Sequence, residues 1–147
     1  MSQFLQRLPE FLGHHPFLAL GFVGLIAAII GNEIARRFRG FKELTPGALT
    51  LLINRESPLL VDVSSIADFE KGHIAGARPV AMSQFDPENK DLAKVRELPV
   101  ALVCKTGATS AQAAARLVKA GFAKVFVLGG GMTAWREAAL PTARGNK

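Results

Sequence analysis

Three short apolar runs constrain the fold of this chain more than any other feature. They occupy residues 59–63, 100–103 and 124–128, and apolar residues do not alternate with polar ones along them. A half-exposed strand alternates, whereas a strand of a parallel sheet covered on both faces reads as a nearly continuous apolar run. Segments with helical signals separate the three runs. The sequence therefore predicts an α/β domain built on a parallel sheet with helices on both faces.

Capping signals mark where the predicted helices begin. Thr45 followed by Pro46 is typical of a helix start, with threonine as the cap and proline at the first helical position. Ser65 and Asp68 have the spacing of a capping box. The other predicted elements are a short helix to about residue 71, a strand at 78–81, and helices at 110–120 and 132–139.

A long uncharged segment precedes this domain. No residue between Glu10 and Glu33 carries a formal charge when histidine is neutral. A helix over residues 12–32 would cross a bilayer core of about 30 Å, for which roughly 20 residues suffice. The competing interpretation is a cleaved signal peptide, but no small-residue cleavage site follows the apolar run. We therefore predict an uncleaved single-pass membrane anchor.

Basic residues directly after the anchor indicate its orientation. Arg36, Arg37 and Arg39 follow the apolar run, and positive charge beside a membrane span tends to stay on the cytoplasmic side. We expect the N-terminus outside and the following domain in the cytoplasm, at a bacterial inner membrane. The same arginines can contact anionic lipid headgroups.

The net charge of +6 does not indicate nucleic-acid binding. Between residues 41 and 141, twelve basic residues nearly match ten acidic ones. The excess comes from the segment near the anchor and from the last residues. No metal-ligand spacing is present, so we expect no metal. The predicted organisation is an anchor with its basic residues at 1–40, one domain at 41–141, and a loosely held polar tail at 142–147.

Cys104 is the only cysteine of the chain, which excludes an internal disulfide. It follows the apolar run 100–103, and Gly107 and the start of a predicted helix come next. Ligands of open α/β sheets bind at this end of the strands. Loop amides and the positive end of a helix dipole both favour a thiolate there. The sequence therefore predicts a reactive cysteine.

Four segments in the same order give the domain its resemblance to a known family. They cover residues 61–63, 68–77, 104–109 and 127–135. The chain resembles a single-domain rhodanese (a sulfurtransferase) with a membrane anchor. That resemblance implies a five-stranded parallel sheet flanked by helices, here preceded by one transmembrane helix. It also implies that Cys104 accepts a sulfane sulfur as a persulfide and passes it to a thiol or another nucleophile, without a cofactor.

The resemblance places the active loop at residues 104–109, with Cys104 as the catalytic residue. Two departures from the family pattern bear on the donor substrate: Thr109 and Ser64 stand where many relatives have arginine. The predicted substrate-binding residues are Lys105, Thr106, Gly107, Ala108 and Thr109. The predicted supporting residues are Asp62, which ends a strand on the same side of the sheet, and Ser110, whose hydroxyl can donate to a sulfur anion.

Two other functions are open to a domain of this kind. A rhodanese-like domain tethered to a membrane can act as a non-catalytic module that recruits partners, including a membrane protein. A phosphatase or arsenate reductase of this fold needs a longer loop with an arginine, and the loop up to Ser110 has none. The expected partners of the sulfurtransferase are a small sulfane-sulfur donor, a thiol acceptor and membrane lipid, with no nucleic acid.

Overall fold

The structure, a computed structural model, describes Pro9 and residues 13–146. The chain divides into two compact units between Arg39 and Gly40. The first contains helix α1, Pro16–Arg37, whose 22 residues include no buried one. At a rise of 1.5 Å per residue it is about 33 Å long. By length and composition, α1 is therefore a candidate membrane span.

Helix α1 begins and ends later than the predicted helix over residues 12–32. It starts at Pro16 after the capping residue His15, and Leu12, the predicted start, lies outside the described residues. At the other end the helix continues past Asn32 to Arg37, because residues 33–37 contain neither glycine nor proline to stop it. Arg36 and Arg37 lie in the last turn, where positive charge stabilises the negative end of the helix dipole.

The second unit confirms the predicted fold class. A five-stranded sheet has the order β1-β5-β4-β2-β3, and every neighbouring pair is parallel. The strands are β1 Lys42–Leu44, β2 Leu59–Asp62, β3 Arg78–Pro79, β4 Val100–Val103 and β5 Val125–Leu128. The helices are α2 Pro46–Glu56, α3 Ile66–Lys71, α4 Lys90–Ala93, α5 Ala108–Lys119 and α6 Gly131–Glu137, with a 3₁₀ turn at Met82–Gln84.

Two buried clusters cover the two faces of the sheet. On one face Leu102 of β4 packs in a cluster that includes Leu117 of α5. On the other face Val103 packs in a cluster that includes Leu49 of α2 and Trp135 of α6. All four residues of β4 are fully buried. The continuous apolar run at 100–103 is thus explained, since this strand lies at the centre of the sheet with helices on both sides.

The predicted capping residues begin their helices as expected. The Thr45 hydroxyl accepts a hydrogen bond from the Ala48 amide at 3.2 Å. The Ser65 hydroxyl accepts one from the Asp68 amide at 3.2 Å and donates to the Asp68 carboxylate at 2.9 Å. Each cap satisfies an amide that the first helical turn leaves without a partner. The Ser65 cap fixes α3 directly after the end of β2.

The polar tail is held by hydrogen bonds, contrary to the expectation that it is loose. The backbone of Ala143 exchanges two hydrogen bonds with that of His73, at 2.9 and 2.8 Å, and Gly145 donates to the Glu70 carbonyl at 3.1 Å. The buried His73 ring also stacks on Phe69, with 3.7 Å between ring centroids. The backbone of Ala143 and Gly145 thus forms hydrogen bonds with the domain. The polar composition of the tail does not reveal these bonds.

Candidate active site

Cys104 directly follows β4 in the middle of the sheet. Strands β2 and β5 flank β4, and all three end at the same edge because they are parallel. The cysteine is 2% exposed. Lys105, Thr106 and Ala108, which follow it, are exposed. The sulfur therefore lies beneath a surface loop at the end of the sheet where α/β proteins bind ligands.

Three groups surround the sulfur of Cys104. The Gly107 amide donates to Sγ at 3.0 Å and the Ser110 amide at 3.4 Å. The thiol donates to the Ser110 hydroxyl at 3.4 Å, and that hydroxyl donates to the Gly107 carbonyl at 3.0 Å. A hydroxyl hydrogen can rotate, so Ser110 can donate to the sulfur once the proton has left. The two amide donors at Sγ favour the sulfur anion, because hydrogen bonds to a charged group are the stronger ones.

Helix α5 begins two residues earlier than predicted. It spans Ala108–Lys119, with Gly107 as the capping residue at φ +94°. Ser110 therefore lies in the first turn, where backbone amides have no partner within the helix. This explains why the Ser110 amide is free to donate to Sγ. The left-handed conformation of Gly107 favours glycine and turns its own amide towards the sulfur.

The surroundings of Cys104 determine its acidity. Burial raises the pKa of the thiol, but hydrogen bonds from the Ser110 side chain and backbone lower it. The backbone amides of Thr106 and Gly107 lower it further, and the pKa of Cys104 falls below its ordinary value. A thiolate is the nucleophilic form of cysteine. The site therefore increases the reactive fraction of Cys104 at neutral pH.

Replacing Ser110 with alanine should raise the pKa of Cys104, because the thiolate loses its hydroxyl donor. A hydrogen bond to a charged group contributes about 1.5–3 kcal/mol, so alkylation by iodoacetamide at pH 7 should slow by about tenfold. The whole pH profile of alkylation should move to higher pH. Thr109→Ala is the matched control, since the structure shows no hydrogen bond from Thr109 to Sγ among the described residues. Equal profiles for both variants would contradict this role of Ser110.

The first residues of α6 hold the active loop in place through hydrogen bonds. The Met132 amide donates to the Cys104 carbonyl at 2.8 Å. The amide and the hydroxyl of Thr133 both donate to the Lys105 carbonyl at 3.1 Å. Gly131 lies so close that a Cβ there would overlap the Cys104 carbonyl oxygen and lie 2.7 Å from the Lys105 carbonyl. Met132 and Thr133 were not predicted as site residues, and their only signal in the sequence is the Gly-Gly-Gly run before them.

Asp62 ends β2 beside β4, where it pairs with Val103. Its side chain is 1% exposed, and one carboxylate oxygen accepts hydrogen bonds from the amide and the hydroxyl of Ser64. Its other oxygen is buried and has no hydrogen-bond partner among the described residues. Asp62 thus orients the loop that follows β2, and no described contact joins it to the cysteine sulfur.

Comparison with known proteins gives the family. A family model described as "Rhodanese-like domain" matches residues 45–138. The chain belongs to the rhodanese family. The match extends from the cap of α2 to the end of α6, so it includes every helix of the domain and four of the five strands.

Two curated relatives and one solved structure illustrate this rhodanese similarity. The chain is 36% identical over 142 residues to "Uncharacterized protein YibN" of Escherichia coli K12, covering 96% of this chain and 99% of that protein. It is 37% identical over 111 residues to "Thiosulfate sulfurtransferase GlpE" of Pseudomonas putida, covering 72% and 96%. A thiosulfate sulfurtransferase from Pseudomonas aeruginosa has a TM-score of 0.63 at 27% identity, over 73% of this chain and 20% of that one.

Beside the rhodanese active loop lies a small cavity of about 120 Å³, here named the cationic cavity. Three basic side chains line it: Lys71 at the end of α3, Lys105 of the loop and Arg136 of α6. Asp68 contributes the one carboxylate, and Ser64 and Met132 are further lining residues. Of these lining residues, only Lys105 was predicted from the sequence to bind substrate.

The predicted rhodanese site residues take different positions around Cys104. Gly107 and Ser110 contact the sulfur, whereas Lys105 lines the cationic cavity. Thr106 contributes its backbone amide, and Ala108 and Thr109 form the first turn of α5. Within residues 13–146 and Pro9, no cluster of three His, Cys, Asp or Glu side chains has the geometry of a metal site.

Proposed function

We propose that this rhodanese is a membrane-anchored sulfurtransferase that carries a sulfane sulfur on Cys104. The observation that carries the proposal is the set of groups hydrogen-bonded to Sγ. The Gly107 amide at 3.0 Å and the Ser110 amide at 3.4 Å donate to it, and the Ser110 hydroxyl, which accepts from the thiol at 3.4 Å, can rotate to donate to the thiolate. Donors in this arrangement stabilise a thiolate before reaction and a terminal persulfide anion after it. Sulfurtransferases among the relatives support the same reaction class.

Thiosulfate is the proposed donor, since several relatives are named as thiosulfate sulfurtransferases. The Cys104 thiolate attacks the outer sulfur of thiosulfate. A Cys104 S–S bond forms, the S–S bond of thiosulfate breaks, and its electron pair leaves on sulfite. The product is a Cys104 persulfide anion, so charge and atoms balance without an oxidant.

A thiol is the proposed acceptor. Its thiolate attacks the outer sulfur of the Cys104 persulfide, the S–S bond at Sγ breaks, and the electron pair returns to Cys104. The acceptor leaves as a persulfide anion, and the enzyme is again a thiolate. Helix α6 positions the loop through the Met132 and Thr133 amides, so the donor groups stay in place through both steps.

Sulfite release tests this function. Reduced full-length protein in detergent is mixed with thiosulfate, and sulfite is measured over time. Without an acceptor we expect a burst of one sulfite per protein, because Cys104 is the only cysteine. Adding dithiothreitol should convert the burst into continuous release. An absence of sulfite under both conditions would contradict sulfur transfer from thiosulfate.

We further propose that α1 anchors the domain in a bacterial inner membrane, with the domain in the cytoplasm. The similarity to YibN spans 96% of the chain and so includes most of the apolar segment. Arg36, Arg37 and Arg39 at its end favour this orientation and can contact anionic lipid headgroups. A membrane-protein acceptor would be a partner suited to this location.

Reporter fusions test the orientation. A fluorescent protein fused after Lys147 should be bright in the membrane fraction, and alkaline phosphatase at the same position should be inactive. An active phosphatase with a dark fluorescent protein would overturn the orientation. Recovery of the chain in the soluble fraction would overturn the anchor.

A further inference from the structure

The cationic cavity carries more positive than negative charge. Lys71, Lys105 and Arg136 face one carboxylate, that of Asp68. The Ser65 hydroxyl and then the charges of Lys105, Lys71 and Arg136 hold the pKa of Asp68 low, although burial opposes them. Asp68 therefore remains ionised at neutral pH, and the cavity retains two uncompensated positive charges.

The basic groups of the cavity have hydrogen-bond donors that are not used by strong interactions. Lys71 lies 3.9 Å from Asp68, which is a long and exposed ion pair. Arg136 donates through one nitrogen to the Gly72 carbonyl at 3.4 Å, and a guanidinium has five N–H donors. Lys105 forms no ion pair among the described residues. An anion entering the cavity can therefore bind without first breaking a strong interaction.

The cavity is joined to the reacting cysteine through the backbone. Lys105 follows Cys104 directly, and neighbouring Cα atoms are about 3.8 Å apart. Met132, another lining residue, donates its amide to the Cys104 carbonyl at 2.8 Å. The lining of the cavity therefore includes the residue next to Cys104 and a residue bonded to the Cys104 carbonyl, so the cavity adjoins the active loop.

We infer that the cationic cavity binds the carboxylate of a small anionic thiol that accepts sulfur from Cys104, with Arg136 and Lys71 as specificity-determining residues. This rests on the proposed function. The sulfonate of thiosulfate is bonded directly to the transferred sulfur and must remain at the loop amides. A carboxylate separated from its thiol by a short chain instead reaches the cavity while its sulfur attacks the persulfide. The transfer step is the one described above, and the carboxylate takes no part in bond making.

The uncharged side chain of Ser64 fits this inference. Serine at this position uses its short side chain to donate to Asp62. The lining at residue 64 is therefore uncharged and small. Positive charge reaches the cavity from α3, α6 and the loop instead, so recognition of the anion falls to Lys71, Arg136 and Lys105.

Two pairs of reagents test the inference in full-length protein. The first pair is 2-carboxyethyl methanethiosulfonate and its carboxamide, which form a disulfide with Cys104 and differ in charge, and which hold the carboxylate or amide two carbons away from the reacting sulfur. The second is 3-mercaptopropionate and 3-mercaptopropionamide, which accept sulfur from the preformed persulfide. Arg136→Gln should slow the anionic member of each pair by about fivefold to tenfold and leave the neutral member unchanged. Its effect on the acceptor should appear in KM rather than in kcat.

Further variants separate recognition of the anion from folding. Arg116→Gln is the matched control, since Arg116 is an exposed arginine of α5 outside the cavity. Lys71→Gln should act in the same direction as Arg136→Gln. Asp68→Asn should act in the opposite direction and speed the reaction of the anionic reagents. The effect of each charge variant on the ratio of anionic to neutral rates should shrink as salt is raised, because ions screen exposed charges.

The outcomes distinguish this inference from the proposed function. If Arg136→Gln and Asp68→Asn leave the ratio of anionic to neutral rates unchanged for both pairs, the inference is overturned. If no persulfide forms with thiosulfate, the proposed function fails, and the methanethiosulfonate pair alone still decides whether the cavity recognises a carboxylate near Sγ.

Discussion

Replacing Cys104 with alanine is expected to abolish sulfur transfer. The loop and its amides remain in Cys104→Ala, but no atom is left to form a covalent bond with the transferred sulfur. Sulfite release from thiosulfate should fall to the rate measured without protein, with or without a thiol acceptor. The chain has no second cysteine to substitute for the first. The measurement is the steady-state rate of sulfite release by full-length protein in detergent.

The variant should remain folded, which makes the loss interpretable. Removing one buried sulfur costs roughly 1–2 kcal/mol, as for other small truncations in a core. Ser83→Ala in the exposed part of the 3₁₀ turn Met82–Gln84 is the control, and it should keep the activity of the wild type. In cells, a phenotype that survives Cys104→Ala but not removal of residues 1–40 would instead favour the non-catalytic recruiting module.

Replacing Gly131 with alanine is expected to destabilise the domain and slow persulfide formation together. The residue has φ +59°, which is costly for alanine, and its Cβ would overlap the Cys104 carbonyl oxygen. The Lys105 carbonyl carbon and oxygen would lie 2.7 Å from it. These are backbone atoms of the active loop, so either the loop or α6 must move. We expect a loss of about 3 kcal/mol in the free energy of unfolding.

Gly76 provides the matched control for this prediction. It also has a positive φ, +85°, but a Cβ added there meets nothing within 4 Å. Gly76→Ala should therefore cost only the backbone strain, about 1 kcal/mol, and should not change the alkylation rate of Cys104. Urea unfolding measures the free energy of unfolding of each variant, and iodoacetamide kinetics measure the reactivity of Cys104. Equal losses for the two variants would mean that Gly131 acts through its φ angle alone and not through contact with the loop.

The central strands were predictable from sequence, and the edge strand was not. The run at 100–103 is apolar because β4 is buried on both faces, so burial itself leaves a pattern in the sequence. Strand β1, Lys42–Leu44, pairs only with β5, and its first two residues are exposed. Two of the three residues of β1 are charged, and such a composition is typical of a loop. The five-strand sheet was expected from the family resemblance and not from this segment.

The chemistry of the loop was predictable because it depends on local sequence. Cys104, Gly107 and Ser110 lie within seven consecutive residues, and strand, glycine and helix determine their arrangement. The contacts that hold the loop come from α6, and two of the three use backbone amides, which leave no side-chain signal. The cationic cavity joins Lys71 and Arg136, residues distant in sequence. Only the folded chain brings such residues together.

The most direct test of this account is the intact mass of the full-length protein after incubation with thiosulfate. We predict that the wild-type chain gains the mass of one sulfur atom, that peptide fragmentation places this atom on Cys104, and that a thiol removes it. Cys104→Ala should gain nothing under the same conditions. An unmodified wild-type chain, or an added sulfur that persists in Cys104→Ala, would contradict the role assigned to the Cys104 thiolate.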